Sequence, residues 1–104
     1  ILILEDVDEA PYRIDRMLTH LHLAGVFQRV NGVVLGKFTN AHTDNPSLSL
    51  EEVFAERFLT LSIPVIRGLM IGHVSDQATL PIGAQANLDT SKLTLRTAGA
   101  YLAD

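Results

Sequence analysis

The apolar run Ile1-Leu2-Ile3-Leu4 is the feature that most constrains the fold of this chain. Four consecutive apolar residues favour a strand that is covered on both faces, as in a parallel or mixed sheet with helices packed against it. Neither an initiator Met nor a charged segment precedes this strand. We therefore expect the numbering to begin inside a longer parent, so that an active site shared between domains would be incomplete here.

A helix is predicted to begin at Pro11 and to end at Gly25. Proline at the first helical position loses no useful hydrogen-bond donor, and the acidic run at positions 5–9 would favour the positive end of the helix dipole. Glycine tolerates the left-handed conformation that commonly closes a helix. One face of this helix carries apolar side chains at helical spacing, namely Ile14, Met17, Leu18, Leu21 and Ala24.

A second strand, a second helix and a third strand follow in order. The β-branched centre of Gly32–Phe38 predicts a short buried strand. Ser49 is placed to cap the next helix, with Glu52 as the reciprocal partner of a capping box. We expect this helix to continue to Leu61 and the third strand to include Val65 and Ile66.

Alternating apolar and polar residues predict an antiparallel hairpin at the end of the chain. The alternation runs over Ala84–Asp89 and resumes at Leu93–Arg96, with a turn around Thr90 and Ser91. The element order therefore predicts a small, single α/β domain with a mixed, partly parallel sheet, flanking helices and a C-terminal β-hairpin, similar to a swivelling β/β/α arrangement.

Composition narrows the functional classes. The chain has 104 residues, a formal net charge of −4, 47% hydrophobic residues and no cysteine. A chain of this length and composition is expected to form one soluble globular domain, and the lack of cysteine excludes disulfides. No apolar run approaches the length of a membrane helix, and the acidic balance argues against a nucleic-acid or anionic-membrane partner.

Two ionisable residues follow predicted strands at positions where chemistry is common. Glu5 is expected to cap the first strand, and His73 lies in the loop after the third. Loops at the carboxyl ends of strands diverge and leave a crevice, and Gly72 would permit a turn that projects the imidazole. If the two strands are parallel neighbours, the carboxylate can orient the imidazole as a base for a hydroxyl nucleophile. From spacing alone, however, a lone Glu and a lone His are more often surface or satisfied core groups.

No serine in the chain is a convincing nucleophile. Helix caps, a helix end and a turn account for most of them, and Ser75 is the least explained, two residues after His73. The residues with such structural roles are Ser47, Ser49, Ser62 and Ser91.

The remaining polar residues have ordinary explanations. His20 and His22 point to nearly opposite sides of a helix and cannot easily share a metal ion, and His42 with Asp44 suits a polar loop. Two interpretations stay open for the start of the first helix, at Tyr12, Arg13 and Arg16. These residues could line a domain junction, or they could form local salt bridges on an exposed face.

Several motifs then occur in one order along nearly the whole chain, from Glu5 to about Leu95. They are Leu4-Glu5-Asp6-Val7, Pro11-Tyr12-Arg13-Ile14-Asp15-Arg16-Met17-Leu18, Gly32-Val33-Val34-Leu35-Gly36-Lys37-Phe38, Ile63-Pro64-Val65, Gly72-His73-Val74 and Leu80-Pro81-Ile82-Gly83. Together they resemble the C-terminal domain of the LD-carboxypeptidases, the serine peptidases of the muramoyltetrapeptide carboxypeptidase family.

The resemblance implies that residues 1–104 are the C-terminal domain of a two-domain, cytoplasmic enzyme with a Ser-Glu-His triad. The serine would belong to an N-terminal domain, and the motif positions of the other two catalytic residues correspond to Glu5 and His73. The family removes the terminal D-alanine from murein tetrapeptides in cell-wall recycling, and the resemblance suggests a homodimer. It implies no metal and no cofactor.

Two alternatives stay open. A related branch of the family, equally similar over this region, cleaves peptide-nucleotide antibiotics of the microcin C type. A noncatalytic interaction domain is also compatible with the composition. The chain departs from the family pattern at Asp8, where members commonly carry glycine, and at Leu69-Met70-Ile71 before the histidine, and both departures concern the surroundings of the site.

Overall fold

Three parallel strands form the central sheet in the computed structural model of the protein, which describes residues 1–97. They are β1 (Leu2–Val7), β2 (Val33–Thr39) and β3 (Val65–Arg67), in the spatial order β1-β2-β3. Helix α1 (Pro11–Leu23) connects the first two strands, and α2 (Leu50–Phe58) connects the second and third. The carboxyl ends of the strands therefore meet at one edge of the sheet, as the α/β prediction requires.

The main hydrophobic core lies between one face of the sheet and the two helices. Val33 and Leu35 of β2 point to this face because alternate residues of a strand share a side. Burying each such side chain contributes about 1.5–3 kcal/mol relative to exposure. The helical and loop members of the buried cluster are Ile14, Leu18, Phe27, Val53, Phe54 and Phe58.

The ends of the helices follow local sequence signals. The left-handed backbone predicted after α1 is confirmed at Gly25, where φ is +76°. The Ser49–Glu52 capping box is also confirmed, with the Ser49 hydroxyl accepting from the Glu52 N–H at 3.2 Å. The acidic run at positions 5–9 precedes α1, which begins at Pro11 as predicted. One expectation was wrong: α2 ends at Phe58, short of Leu61.

The predicted hairpin is present as β4 (Ala86–Asp89) and β5 (Thr94–Thr97). Within residues 1–97 it forms a separate two-stranded antiparallel sheet, so that parallel and antiparallel pairing are divided between two sheets. A Cβ atom on Gly32 would lie 2.8 Å from Leu88 Cδ2. The hairpin thus packs where β2 begins, at the end of the sheet opposite to Glu5 and His73.

A bilayer-spanning helix would need far more length and apolar character than α1 or α2 has, and no helix within residues 1–97 meets that requirement.

Candidate active site

Glu5 lies inside β1, two residues before the strand ends, rather than capping it as the sequence suggested. The β1–β2 ladder is irregular at this point. Leu4 pairs with Leu35, but Asp6 pairs with Phe38, so that two residues of β2 lie opposite Glu5 alone. Such bulges re-aim side chains and are common beside active sites. Because of this bulge, Glu5 is the one residue of β1 between Leu4 and Asp6 that has no single partner on β2.

The loop that carries His73 reaches Glu5 by crossing the end of β2. Because β2 lies between β1 and β3, the strand of Glu5 and the strand before His73 are not neighbours, so the condition stated for bringing the two residues together is not met. The segment after β3 instead remains bonded to β2: the Gly68 N–H donates to the Leu35 carbonyl at 2.8 Å, and the Lys37 N–H donates to the Ile71 carbonyl at 2.9 Å. These bonds carry the chain across β2 and bring residue 73 to β1.

Two glycines allow this close crossing. A Cβ atom on Gly36 would lie 2.6 Å from Ile71 Cγ1, closer than real Cβ atoms come to their neighbours. Gly72 has φ of +123°, which side-chain-bearing residues rarely adopt, and its Cβ would lie 3.0 Å from both Glu5 Oε2 and the Lys37 carbonyl oxygen. The unusual turn expected at Gly72 is therefore present. The role of Gly36 was missed, although a glycine within a strand is a recognised sign of close backbone approach.

The structure brings the two predicted site residues together. His73 Nδ1 lies 3.0 Å from Glu5 Oε2, across 68 positions of sequence. Because an ionised carboxylate only accepts hydrogen bonds, Nδ1 must carry the proton in this contact. Nε2 is then the basic nitrogen of the neutral ring and is available for a hydroxyl proton. The Glu5 and His73 side chains are 33% and 59% exposed, so the pair faces outward from the domain.

A hydroxyl partner for Nε2 is missing within residues 1–97. No serine hydroxyl there forms a hydrogen bond with the His73 imidazole, and Ser75 is no exception although it is near in sequence. Ser49 caps α2, and the Ser91 hydroxyl donates to Asp89 Oδ1 at 2.7 Å. The described residues thus contain an oriented imidazole without a nucleophile.

An apolar groove of about 340 Å³ opens beside Glu5, between β1 and α1. Leu4, Met17 and Phe38 contribute apolar side chains to its walls, and His20 lies at the same groove. Met17 belongs to the apolar face predicted for α1, yet this residue is 41% exposed. This groove is a further feature of the site that the sequence pattern did not reveal.

The start of α1 makes local contacts. The Arg13 Nε donates to the Tyr12 hydroxyl at 3.3 Å and lies 3.9 Å from the Glu9 carboxylate. The hydrogen bond to Tyr12 and the electrostatic effects of Tyr12 and Glu9 raise the pKa of Arg13. The local salt bridge that the sequence allowed therefore forms at Arg13, and it leaves open a contact of this face with another domain.

Between residues 1 and 97, no three His, Asp or Glu side chains are grouped as a metal site requires.

A family model described as the LD-carboxypeptidase C-terminal domain matches residues 1–88. The chain belongs to this family. The resemblance drawn from the sequence motifs is thus confirmed, and so is the α/β fold.

Individual relatives of the LD-carboxypeptidase domain agree. A Synechocystis sp. protein named as a candidate carboxypeptidase is 44% identical over 97 residues, which are 91% of this chain and 32% of that protein. The crystal structure of a muramoyltetrapeptide carboxypeptidase from Oxalobacter formigenes aligns with a TM-score of 0.80 at 33% identity, covering 90% of this chain and 34% of that one.

The structure of the microcin C7 self-immunity protein MccF, a protein known from Escherichia coli, is also similar. It aligns with a TM-score of 0.85 at 26% identity and covers 98% of this chain and 30% of that one. The LD-carboxypeptidase domain described here therefore spans about a third of the length of the relatives that it matches.

Proposed function

We propose that this chain is the C-terminal domain of a serine LD-carboxypeptidase that removes the terminal D-alanine from murein tetrapeptides in cell-wall recycling. The observation that carries the proposal is the hydrogen bond between Glu5 and His73, at the two positions that the family motifs assign to a Ser-Glu-His triad. Membership in the LD-carboxypeptidase family and the likeness to a muramoyltetrapeptide carboxypeptidase support the same reaction.

In this mechanism His73 acts first as a general base and then as a general acid. Nε2 takes the proton of a serine hydroxyl supplied by the N-terminal domain, and the serine oxygen attacks the carbonyl carbon of the L,D bond. When the tetrahedral intermediate collapses, the imidazolium gives this proton to the departing amine of D-alanine, leaving an acyl-enzyme. Water, activated by the same nitrogen, then releases the shortened peptide and restores the serine.

Glu5 keeps the imidazole in the tautomer that this cycle needs. Its carboxylate accepts from Nδ1–H and stabilises the imidazolium that forms in each half-reaction. The exposed position of the pair suits this role, because a nucleophile on another domain must approach Nε2 from outside. The greater length of the relatives is compatible with such a domain.

The remaining parts of the proposal concern partners and location. The partners are an N-terminal nucleophile domain in the same polypeptide, a murein peptide and a second copy of the enzyme in a homodimer. The cytoplasm is the proposed compartment, because murein fragments are recycled there in this family.

The direct test is D-alanine release from a murein tetrapeptide. The full-length parent and the isolated 104-residue chain should be assayed side by side under the same conditions. We expect the parent to release D-alanine and the isolated chain to release none, since residues 1–97 place no serine hydroxyl against His73. Release by the isolated chain would contradict a triad divided between domains, and no release by either would reject the murein substrate.

A second candidate substrate is a peptide-nucleotide of the microcin C type. The observation that favours it is the close structural similarity to MccF, with a TM-score of 0.85 over 98% of this chain. The same parent should be offered a peptide-nucleotide and a murein tetrapeptide at equal concentrations. Cleavage of the nucleotide compound alone would replace the murein assignment and leave the roles of Glu5 and His73 unchanged. Cleavage of neither would favour an interaction domain without catalytic activity.

A further inference from the structure

Strands β1 and β2 are each followed directly by a residue with left-handed backbone. Asp8 has φ of +57° and Asn40 has φ of +56°, and Leu93 is the one other non-glycine residue with positive φ among residues 1–97. Asp and Asn are enriched in this conformation, yet a side chain still carries a steric cost there. Two such residues at the ends of adjacent strands therefore need a compensating interaction.

The compensating interaction is a contact between their side chains. Asn40 Nδ2 donates to Asp8 Oδ1 at 2.8 Å, and the Asp8 N–H donates to the Thr39 carbonyl at 2.9 Å. Either residue alone would be an ordinary turn former. The hydrogen bond between them instead joins two loops that are 32 residues apart in sequence. We call Asp8 and Asn40 the strand-end pair.

The strand-end pair lies directly beyond the bulge that holds Glu5. After the irregularity, the ladder resumes with only two pairs, Asp6 with Phe38 and Val7 with Thr39, before the strands end. Terminal ladder pairs beside loops fray most easily. If these two pairs opened, β1 would be held to β2 beside the bulge only at Leu4, and the direction of the Glu5 carboxylate would no longer be determined.

We infer that Asp8 and Asn40 are positioning residues that hold the end of the β1–β2 ladder closed and thereby keep the Glu5 carboxylate aimed at His73 Nδ1. They touch neither the imidazole nor the reacting atoms, and they act through Glu5. The geometric part of this inference is independent of the proposed function, whereas its consequence for turnover rests on that function.

The geometric part is tested in the 104-residue chain by long-range 1H–15N NMR, which reports the fraction of neutral His73 with its proton on Nδ1. The variants are Asn40→Gly and Asp8→Gly, because glycine retains the left-handed backbone and removes only the side-chain hydrogen bond. We expect the Nδ1–H fraction to fall toward that of His42, an exposed loop histidine. An unchanged fraction in both variants would overturn the inference.

Two further variants separate positioning from general stability. Leu93→Gly changes the third left-handed residue, which lies in the turn between β4 and β5, and should leave the His73 tautomer unaltered. Asp8→Asn keeps an oxygen that can accept from Asn40, and should retain the wild-type tautomer. A tautomer change in Leu93→Gly as large as that in Asn40→Gly would show that loosening the fold is sufficient, and would refute a specific role for the pair.

Turnover in the full-length parent tests the consequence. We expect Asn40→Gly to lower kcat by about tenfold to a hundredfold, with KM nearly unchanged, because a catalytic group displaced by about 1 Å loses rate at this scale. A changed tautomer with unchanged kcat would keep the positioning inference and reject the catalytic role of the Glu5–His73 pair. An unchanged tautomer with unchanged kcat would reject the positioning inference and leave the proposed function standing.

Discussion

Replacing Gly72 with alanine perturbs the backbone that places His73 against Glu5. At φ of +123° an alanine is strained, and its Cβ would lie 3.0 Å from Glu5 Oε2 and from the Lys37 carbonyl oxygen. The carboxylate can rotate away from this contact, but the carbonyl belongs to the β2 backbone and must shift with its strand. The substitution is therefore expected to weaken the fold and to turn Glu5 away from the imidazole.

The magnitude of this destabilisation follows from three contributions. Backbone strain at such a position costs about 1–3 kcal/mol, and the loss of unfolded-state freedom on replacing glycine returns about 0.4–1 kcal/mol. Crowding in a packed region adds about 1–3 kcal/mol. Gly72→Ala should thus lower the free energy of unfolding by about 1–6 kcal/mol in total, with the middle of the three ranges at about 3 kcal/mol.

Gly68→Ala is the matched control, because it separates strain from contact. Gly68 also has positive φ, +90°, but a Cβ atom there would meet no atom within 4 Å. Urea denaturation of the 104-residue chain gives both free energies of unfolding from the same extrapolation. We expect Gly72→Ala to cost about 1–3 kcal/mol more than Gly68→Ala. Equal losses in the two variants, with the Glu5–His73 hydrogen bond intact in Gly72→Ala, would refute the close-contact explanation.

Three further predictions concern the scaffold. Ile14 is 2% exposed in the core, so Ile14→Ala should lower the free energy of unfolding by about 2–5 kcal/mol in urea denaturation. Ser49→Ala removes the acceptor of the α2 capping box and should cost about 0.5–2 kcal/mol in the same assay. Hydrogen bonds from the Ser91 hydroxyl and from the backbone lower the pKa of Asp89. Asp89 should therefore stabilise the fold above about pH 4, and this contribution should disappear as the pH falls through the lowered pKa.

Each of these has its own control. Leu59 is 82% exposed, and Leu59→Ala should change stability by less than about 0.5 kcal/mol. A comparable loss in Ile14→Ala and Leu59→Ala would contradict the core assignment, and wild-type stability in Ser49→Ala would contradict the cap. For Asp89, the stability of the wild type and of Asp89→Asn should converge as the pH falls below about 4. A constant difference across that range would show that the carboxylate charge is not responsible.

Local signals in the sequence were sufficient for most of the elements. The capping box at Ser49 and Glu52 depends on residues three positions apart, so it is determined within one helical turn. The parallel pairing of β1 and β2 follows from their apolar character and the helix between them. Family motifs together with the ends of the strands led to the prediction of Glu5 and His73, whose side chains the structure joins by a hydrogen bond.

Details that depend on contacts between distant segments could not be predicted from local patterns. At the bulge opposite Glu5, the Lys37 N–H donates to the carbonyl of Ile71, a residue that follows another strand. Residue spacing does not determine the order of the strands, in which β2 lies between β1 and β3. It also does not determine that the His73 loop crosses β2, because this depends on tertiary contacts. The same holds for the hairpin, whose alternation predicts two strands but not which sheet they join.

The central claim is that Glu5 and His73 supply the general base of a serine LD-carboxypeptidase. Its most direct test is the kcat for D-alanine release by the full-length parent carrying His73→Ala, Glu5→Gln or, as a control, His42→Ala. We expect His73→Ala to lower kcat by several orders of magnitude, Glu5→Gln to lower it substantially but by less, and His42→Ala to leave it unchanged. Wild-type kcat in His73→Ala would contradict the account.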